Sequence, residues 1–173
     1  IIGEDESGGT PSRNLGSTGV ELAGEWAGIS QRVWIEGSNT LMRFASEGMP
    51  NGAYEHAIYT NGYRYYGRSM GASSDNDSQV YTIGGLLALE SGDLINWSIS
   101  QAYLNRDGSN AAAPGGNPLA DDAISLALIE ANYRHALTDA LQIVIGAQYL
   151  EKPINTRWGP QDSNLYLTIK NYW

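Results

Sequence analysis

One short stretch of the sequence concentrates side chains that can bind a sugar. Three tyrosines and two arginines occur within six positions: Tyr63, Arg64, Tyr65, Tyr66 and Arg68. Aromatic rings have apolar faces on which the C–H groups of a sugar can stack. Arginine binds a carboxylate through two parallel hydrogen bonds, which suits the acidic units of a polysaccharide. The segment is therefore predicted to contact an acidic polysaccharide.

The same segment also has a structural interpretation, which the residue types leave open. The two arginines could form ion pairs with carboxylates that lie near them in the sequence, and the tyrosines could pack the loop. The carboxylates available for this are those of Glu55, Asp75 and Asp77. On this interpretation the stretch stabilises a loop and binds no ligand.

A second aromatic and cationic pair lies further along the chain. Arg157 and Trp158 are adjacent in a segment rich in polar residues and proline. They are a weaker candidate for a polysaccharide contact, because a tryptophan can equally anchor a chain at a membrane interface.

The composition limits the elements that can position these residues. The chain has 173 residues and a net charge of -9, so it fits one domain and lacks the basic face that a nucleic-acid partner requires. Cysteine is absent, which excludes disulfides, thiolate metal sites and cysteine nucleophiles. The 21 glycines and 11 tyrosines predict an all-β protein with many turns. No apolar stretch is long enough for a membrane-spanning helix.

Alternation of apolar and polar residues with period two predicts seven strands. They fall at 20–26, 32–36, 78–89, 92–104, 122–136, 141–151 and 162–173. In the fifth strand, Ile124 to Leu128 and Ile129 to Tyr133 alternate in opposite phases, so a β-bulge near 127–129 is expected there.

The connections between these strands alternate short and long. Short ones fall near 27–30, 90–91 and 137–140, and long polar ones at 38–77, 105–121 and 152–161. In an up-and-down meander, all the long loops then lie at one end of the sheet. That asymmetry is typical of a transmembrane β-barrel with short periplasmic turns and long extracellular loops.

The two faces of the strands agree with an antiparallel up-and-down transmembrane β-barrel. One face is apolar and predicted to contact outer-membrane lipid, whereas the other carries polar residues typical of a wet lumen. The predicted lipid face includes Leu141, Ile143, Ile145, Leu165, Leu167 and Ile169. A soluble β-sandwich is the alternative, with the same apolar face turned inward.

The spacing of residues gives little support for a catalytic site or a metal site. The two histidines, His56 and His135, match neither a metal site nor a catalytic triad, although His56 beside Glu55 leaves a hydrolase as a less favoured alternative. The run Asp75 to Asp77 offers oxygen donors for calcium but lacks the glycine and distal glutamate of an EF-hand, so a solvated turn is preferred. We expect no catalytic residue, no metal and no cofactor.

The sequence from Tyr54 to Leu87 resembles the Wzi family of capsule assembly proteins. The resemblance is carried by Tyr54-Glu55-His56, Tyr59, Gly62 to Gly71 and Asp75 to Ser78. The preceding Arg32 to Glu36 fits the same family. The last strand, which ends at Trp173, resembles the signal through which the barrel assembly machinery recognises outer-membrane barrels.

The resemblance implies a location and a function. Members of the family are outer-membrane barrels of Gram-negative bacteria that hold capsular or exopolysaccharide at the cell surface, behaving as lectins without catalysis. They are longer than this chain and begin with a helical portion, so residues 1–173 resemble the C-terminal part of one barrel domain. A first residue of Ile1 and the lack of a leader likewise suggest a fragment or a processed protein. A small self-contained barrel with a structural or adhesion role remains an alternative.

Overall fold

The computed structural model describes residues 2–4, 11–42, 51–55, 58, 62–66, 68–109, 117–138, 140–156 and 159–171. The strands, in chain order, are β1 (Ile2–Glu4), β2 (Pro11–Asn14), β3 (Gly16–Trp26), β4 (Ile29–Asn39), β5 (Arg64–Tyr65), β6 (Arg68–Ser69), β7 (Gln79–Ala88), β8 (Leu94–Leu104), β9 (Ile124–Ala136), β10 (Leu141–Leu150), β11 (Ile154–Thr156), β12 (Gly159–Gln161) and β13 (Asn164–Asn171). No helix in these ranges is long and apolar enough to cross a membrane.

Seven of the strands form one antiparallel meander. Its order is β3-β4-β7-β8-β9-β10-β13, so every strand lies beside its predecessor in the sheet. These are the seven strands that the period-two pattern predicts, and the prediction is confirmed. In the described part of the chain, β3 and β13 form the two edges, and the sheet is open. The other strands form three small hairpins: β1 with β2, β5 with β6, and β11 with β12.

The alternation of connection lengths is also confirmed. The short connections 27–28, 89–93 and 137–140 lie at one end of the sheet, which we call the turn end. The long connections 40–78, 105–123 and 151–163 lie at the opposite end, which we call the loop end. Consequently, the segment that carries the tyrosines and arginines lies at the loop end.

The sheet has an apolar outer face and a more polar inner face. Large apolar side chains on the outer face are exposed, among them Leu22, Ile35, Ile99, Ile145 and Leu167. Aromatic residues mark the two ends of this face, with Trp26 and Tyr133 near the turn end and Tyr81 and Tyr149 near the loop end. A soluble protein seldom exposes so extensive an apolar surface.

The predicted bulge near 127–129 is wrong. Pairing runs without interruption from Leu94 with Arg134 to Leu104 with Ile124, and β9 pairs with β10 just as regularly. The alternation of apolar residues in β9 changes phase because the inner face of the sheet is also apolar near the loop end. Leu126 faces inward and is 2% exposed, whereas Ile129 faces outward and is 43% exposed.

A small apolar core explains this inward-facing leucine. Leu119 and Ala120 of loop 105–123 pack on the inner face at the loop end, against the ends of β8, β9 and β10. The buried members of the core are Ala102, Leu104, Ala120, Leu126 and Leu150. Burial of these side chains fixes the position of the loop, since a fully buried leucine contributes roughly 1.5 to 3 kcal/mol.

Candidate functional site

The hairpin of β5 and β6 turns one arginine inward and the other outward. Arg64 pairs with Ser69, and Tyr65 pairs with Arg68. Because neighbouring residues of a strand point to opposite faces, Arg64 and Ser69 share one face, and Tyr65 and Arg68 share the other. Tyr66, at the tip, adopts a positive φ of 48°.

Arg64 is held by two carboxylates. Its Nη1 and Nη2 donate to the two oxygens of Asp75 at 2.6 and 2.5 Å, and its Nε donates to Glu55 at 2.8 Å. The Arg64 side chain is 7% exposed, so these bonds are shielded from water. Burial by itself lowers the pKa of Arg64, but the bonds to Asp75 and Glu55 outweigh it and leave the pKa raised. Arg64 is a permanent cation at the base of the hairpin.

Tyr54 anchors the hairpin from the other side. Its backbone carbonyl accepts the Tyr63 N–H at 2.8 Å, and its hydroxyl accepts the Ala72 N–H at 2.8 Å. Its ring lies so close to Gly71 that a Cβ there would be 2.5 Å from it. Gly62 has a φ of +55° and also passes close to the Tyr54 carbonyl, so both glycines are required by this packing.

Four of the predicted binding residues remain exposed on this anchored hairpin. Tyr63, Tyr65 and Tyr66 are 53%, 67% and 87% exposed, and Arg68 is exposed beside them. The rings of Tyr65 and Tyr66 are perpendicular, with centroids 4.5 Å apart. The structure thus brings together three aromatic surfaces and one cation, while Arg64 lies beneath them.

The second predicted pair, Arg157 and Trp158, lies outside the described residues. Its neighbours Thr156 and Gly159 pair in the hairpin of β11 and β12, at the loop end. His56 and Trp173 also lie outside the described residues.

The run Asp75 to Asp77 is buried, so the prediction of a solvated turn is wrong. Asp75, Asn76 and Asp77 are at most 4% exposed. Thr40 donates its hydroxyl to the Asp75 carbonyl at 2.8 Å, and Asp77 accepts the Asp107 N–H at 2.7 Å. In the described ranges, no group of three or more His, Cys, Asp or Glu side chains could hold a metal ion.

Two asparagines, which no sequence motif distinguishes, join the long loops. Asn117, from loop 105–123, donates to the Asn76 carbonyl at 2.6 Å and to the Ser78 hydroxyl at 3.0 Å. Asn51 donates to Asp107 at 3.1 Å. Short polar residues in long loops are common, and no local spacing distinguishes these two. The network makes loops 40–78 and 105–123 one unit that supports the hairpin.

A cavity of about 1070 Å³ lies between this unit and the inner face of the sheet. Tyr63 and Arg68 line its loop side. Polar residues of the strands line the opposite side: Glu36, Thr82, Asn96, Ser98, Ser100, Glu130 and Gln148. The hairpin and the polar inner face therefore line one continuous cavity, whose wall at the loop end also includes apolar core residues such as Leu126 and Leu150.

The second histidine, His135, lies at the turn end of the sheet. Nδ1 of His135 is 2.6 Å from the Asp93 carboxylate, which also accepts the hydroxyls of Ser91 and Tyr133, both at 2.8 Å. The bond with His135, followed by those from Ser91 and Tyr133, lowers the pKa of Asp93. Because Ser91 bonds to the carboxylate and not to the imidazole, the group is not arranged as a nucleophilic triad.

Comparison with known proteins gives two matches. The family model described as capsule assembly protein Wzi matches residues 1–156. Among solved structures, Wzi from Escherichia coli matches with a TM-score of 0.72 and 20% identity; it is described as an outer-membrane protein involved in group 1 capsule assembly and a carbohydrate-binding β-barrel. The match covers 99% of this chain and 36% of that one, so the chain spans about a third of its length. No curated protein matches.

Proposed function

The chain belongs to the capsule assembly protein Wzi family, and from this premise we propose that it binds capsular or exopolysaccharide and retains it at the bacterial cell surface. The proposed setting is the outer membrane, with the turn end in the periplasm and the long loops outside the cell. Residues 1–173 would form the C-terminal part of a single barrel domain. The proposed activity is lectin-like binding without catalysis.

The observation that carries this proposal is the exposed face of the β5 and β6 hairpin. Tyr65, Tyr66 and Arg68 face solvent on a hairpin that Arg64 fixes from beneath. Fixing a binding surface in advance reduces the entropy that a ligand must lose on binding. Tyr63 extends the same surface, and we propose Arg157 and Trp158 as further contacts from the neighbouring long loop.

The distribution of charge supports an acidic ligand. The chain has 10 Lys and Arg against 19 Asp and Glu, so its overall field repels a polyanion. A cation at the contact is then needed, and Arg68 supplies one. Because exposed charges are screened within about 8 Å at physiological ionic strength, retention should depend on several weak contacts along the polymer and should decrease with salt.

The outer face supports the membrane setting. Its exposed aliphatic residues lie between two sets of aromatic residues, as in barrels whose apolar band contacts lipid. This orientation directs the β5 and β6 hairpin away from the membrane, toward secreted polymer.

The test is a triple variant that removes the exposed contacts and keeps Arg64: Tyr65→Ser, Tyr66→Ser and Arg68→Ala. If each lost contact contributes about 0.5 kcal/mol, cell-bound polysaccharide should fall about tenfold, with a matching rise in the medium. The amount of folded variant in the membrane should equal that of the wild type.

The matched control is Arg106→Ala. Arg106 is an exposed arginine on loop 105–123, and its Cζ lies 5.5 Å from the centre of the Tyr103 ring. Its replacement removes the same charge as Arg68→Ala, at the same end of the sheet. Retention should be unchanged in this control. The proposal fails if the folded triple variant retains polysaccharide at the wild-type level across a salt series, or if Arg106→Ala releases as much.

A further inference from the structure

The strand register aligns one row of side chains across the inner face of the whole sheet. Each member is the direct partner of the next on the adjacent strand, and we call this set the inner row: Glu21, Trp34, Gly84, Ser98, Glu130, Gln148 and Asn164. With strands about 4.8 Å apart, six steps span roughly 29 Å. A row of this length can follow an extended polymer through several of its units.

Trp34 gives the inner row an aromatic surface. Its indole ring lies across Gly84, where a Cβ would collide with Cζ2. The glycine thus allows the ring to lie close to the sheet. Trp34 is half-buried and lines the cavity, so part of the ring is accessible for stacking against a sugar.

The other half of the inner row is a chain of oriented hydrogen-bonding groups. Gln148 donates to Glu130 at 3.0 Å, and Asn164 donates to the Gln148 carbonyl oxygen at 2.9 Å. These bonds fix which way each amide points. These two bonds leave further groups for a ligand: one N–H each on Gln148 and Asn164, the second carboxylate oxygen of Glu130 and the Ser98 hydroxyl. Such a mixture of donors and acceptors suits sugar hydroxyls, which can both donate and accept.

The charges around the cavity separate two kinds of sugar. Arg68, on the hairpin, is the one cation among its described lining residues, whereas Glu36 and Glu130 lie on the sheet. An acidic unit is attracted by Arg68 and repelled by Glu36 and Glu130, whereas Glu21 of the inner row is paired with Arg32. A neutral unit bears hydroxyls alone and meets no such repulsion.

We propose that the inner row binds neutral sugar units of the polysaccharide whose acidic units contact the β5 and β6 hairpin. The inference rests on the proposed function, because both sites are assigned to one polymer. It adds a second site within the sheet and specifies a ligand with both neutral and acidic units.

The first test uses cellohexaose, a neutral oligosaccharide, and protein in detergent micelles. Trp34→Leu should weaken its binding about tenfold in isothermal titration calorimetry, which corresponds to about 1.4 kcal/mol. Trp97→Leu is the matched control, because Trp97 lies in the same way against Gly85 but on the outer face. Equal affinities in the two variants would overturn the proposal.

A second variant tests the charge argument without altering side-chain shape. Glu130→Gln keeps the bond to Gln148 possible and removes one negative charge from the inner row. Binding of hexagalacturonate, an all-acidic oligosaccharide, should tighten a few-fold, because repulsion in the cavity decreases. Unchanged hexagalacturonate affinity would count against the inner row even if Trp34→Leu failed to fold.

The two proposals can fail separately. The triple hairpin variant tests the first, and it should weaken hexagalacturonate binding. If it does not, while Trp34→Leu still weakens cellohexaose binding, the hairpin is not the acidic site and the inner row stands as a glycan site. The reverse pattern would retain the hairpin and reject the inner row.

Discussion

Arg64 and Arg68 are four positions apart and have opposite environments. The two-residue strands β5 and β6 place Arg64 above Asp75 and Glu55, and they place Arg68 beside Tyr65 on the exposed face. A guanidinium group fits both environments, because it forms bidentate bonds with a carboxylate in a protein as readily as with one in a ligand. The first arginine therefore supports the site that the second one belongs to.

Sequence composition could identify this cluster but not the role of each arginine. The density of tyrosine and arginine from Tyr63 to Arg68 marks the segment, and Glu55 and Asp75 are close enough in the sequence to be candidate partners. Which arginine faces inward depends on a hairpin of two-residue strands, too short to leave a periodic pattern. It also depends on the fold of residues between Glu55 and Arg64, which local sequence does not determine.

Replacement of Arg64 by alanine should loosen the whole hairpin. It leaves Asp75, which is 3% exposed, without its bidentate partner, and breaking a buried ion pair in this way typically costs about 3 to 5 kcal/mol. We expect faster amide hydrogen exchange and faster proteolysis within 62–75, with the seven-stranded sheet intact.

The control for this prediction is Arg32→Ala on the inner face of β4. Arg32 and Glu21 form an ion pair of 2.8 Å, but their side chains are 53% and 45% exposed. Exposed pairs contribute about 0 to 1 kcal/mol, so exchange and proteolysis should hardly change. Similar effects of Arg64→Ala and Arg32→Ala would show that burial does not strengthen the Arg64 pair.

At the scale of elements, the sequence pattern predicts which segments are strands and how they are ordered. It does not predict which side chains of β9 face inward. Period-two alternation marks a strand wherever its two faces meet different surroundings. Near the loop end both faces of β9 meet apolar surroundings: Leu126 packs under loop 105–123, and Ile129 lies on the outer face. The sequence pattern then looks like a bulge although the pairing is regular. The cause is a long-range contact with loop 105–123.

The outer face of β10 leads to a prediction about lipid. Ile145 lies on this face beside Tyr133 and Leu167 on the adjacent strands and is 49% exposed. If the face contacts lipid, Ile145→Arg should destabilise the protein in a bilayer, lowering its free energy of unfolding by about 2 to 4 kcal/mol near the midplane. Denaturant titration in lipid vesicles measures this change.

An arginine on the inner face provides the comparison. Thr168→Arg on β13 introduces the same side chain next to Val144, the inward neighbour of Ile145. Its cost should be smaller, because the inner face is polar and the long side chain can reach water. A larger cost for Thr168→Arg than for Ile145→Arg would indicate that the apolar face is not the one in lipid.

At the scale of the molecule, alternating connection lengths divide the protein into two ends with different tasks. The short turns leave little chain for binding at the turn end, where Asp93 links Ser91, Tyr133 and His135. All the long connections meet at the loop end, and the contact of Asn117 with Asn76 joins two of them. The exposed tyrosines and Arg68 therefore stand on a layer of packed loops above the sheet.

This division predicts which residues face the cell exterior. The sequence contains no cysteine, so a single introduced cysteine is the only thiol in the chain. Asp122 and Asn155 are exposed residues of two different long connections, and Ala140 is exposed in a short one. In intact cells, a membrane-impermeant maleimide should label Asp122→Cys and Asn155→Cys but not Ala140→Cys, which should react only after the outer membrane is permeabilised. Labelling of Ala140→Cys in intact cells, or of just one of the two loop positions, would contradict the arrangement, because an antiparallel meander requires all long connections to lie on the same side.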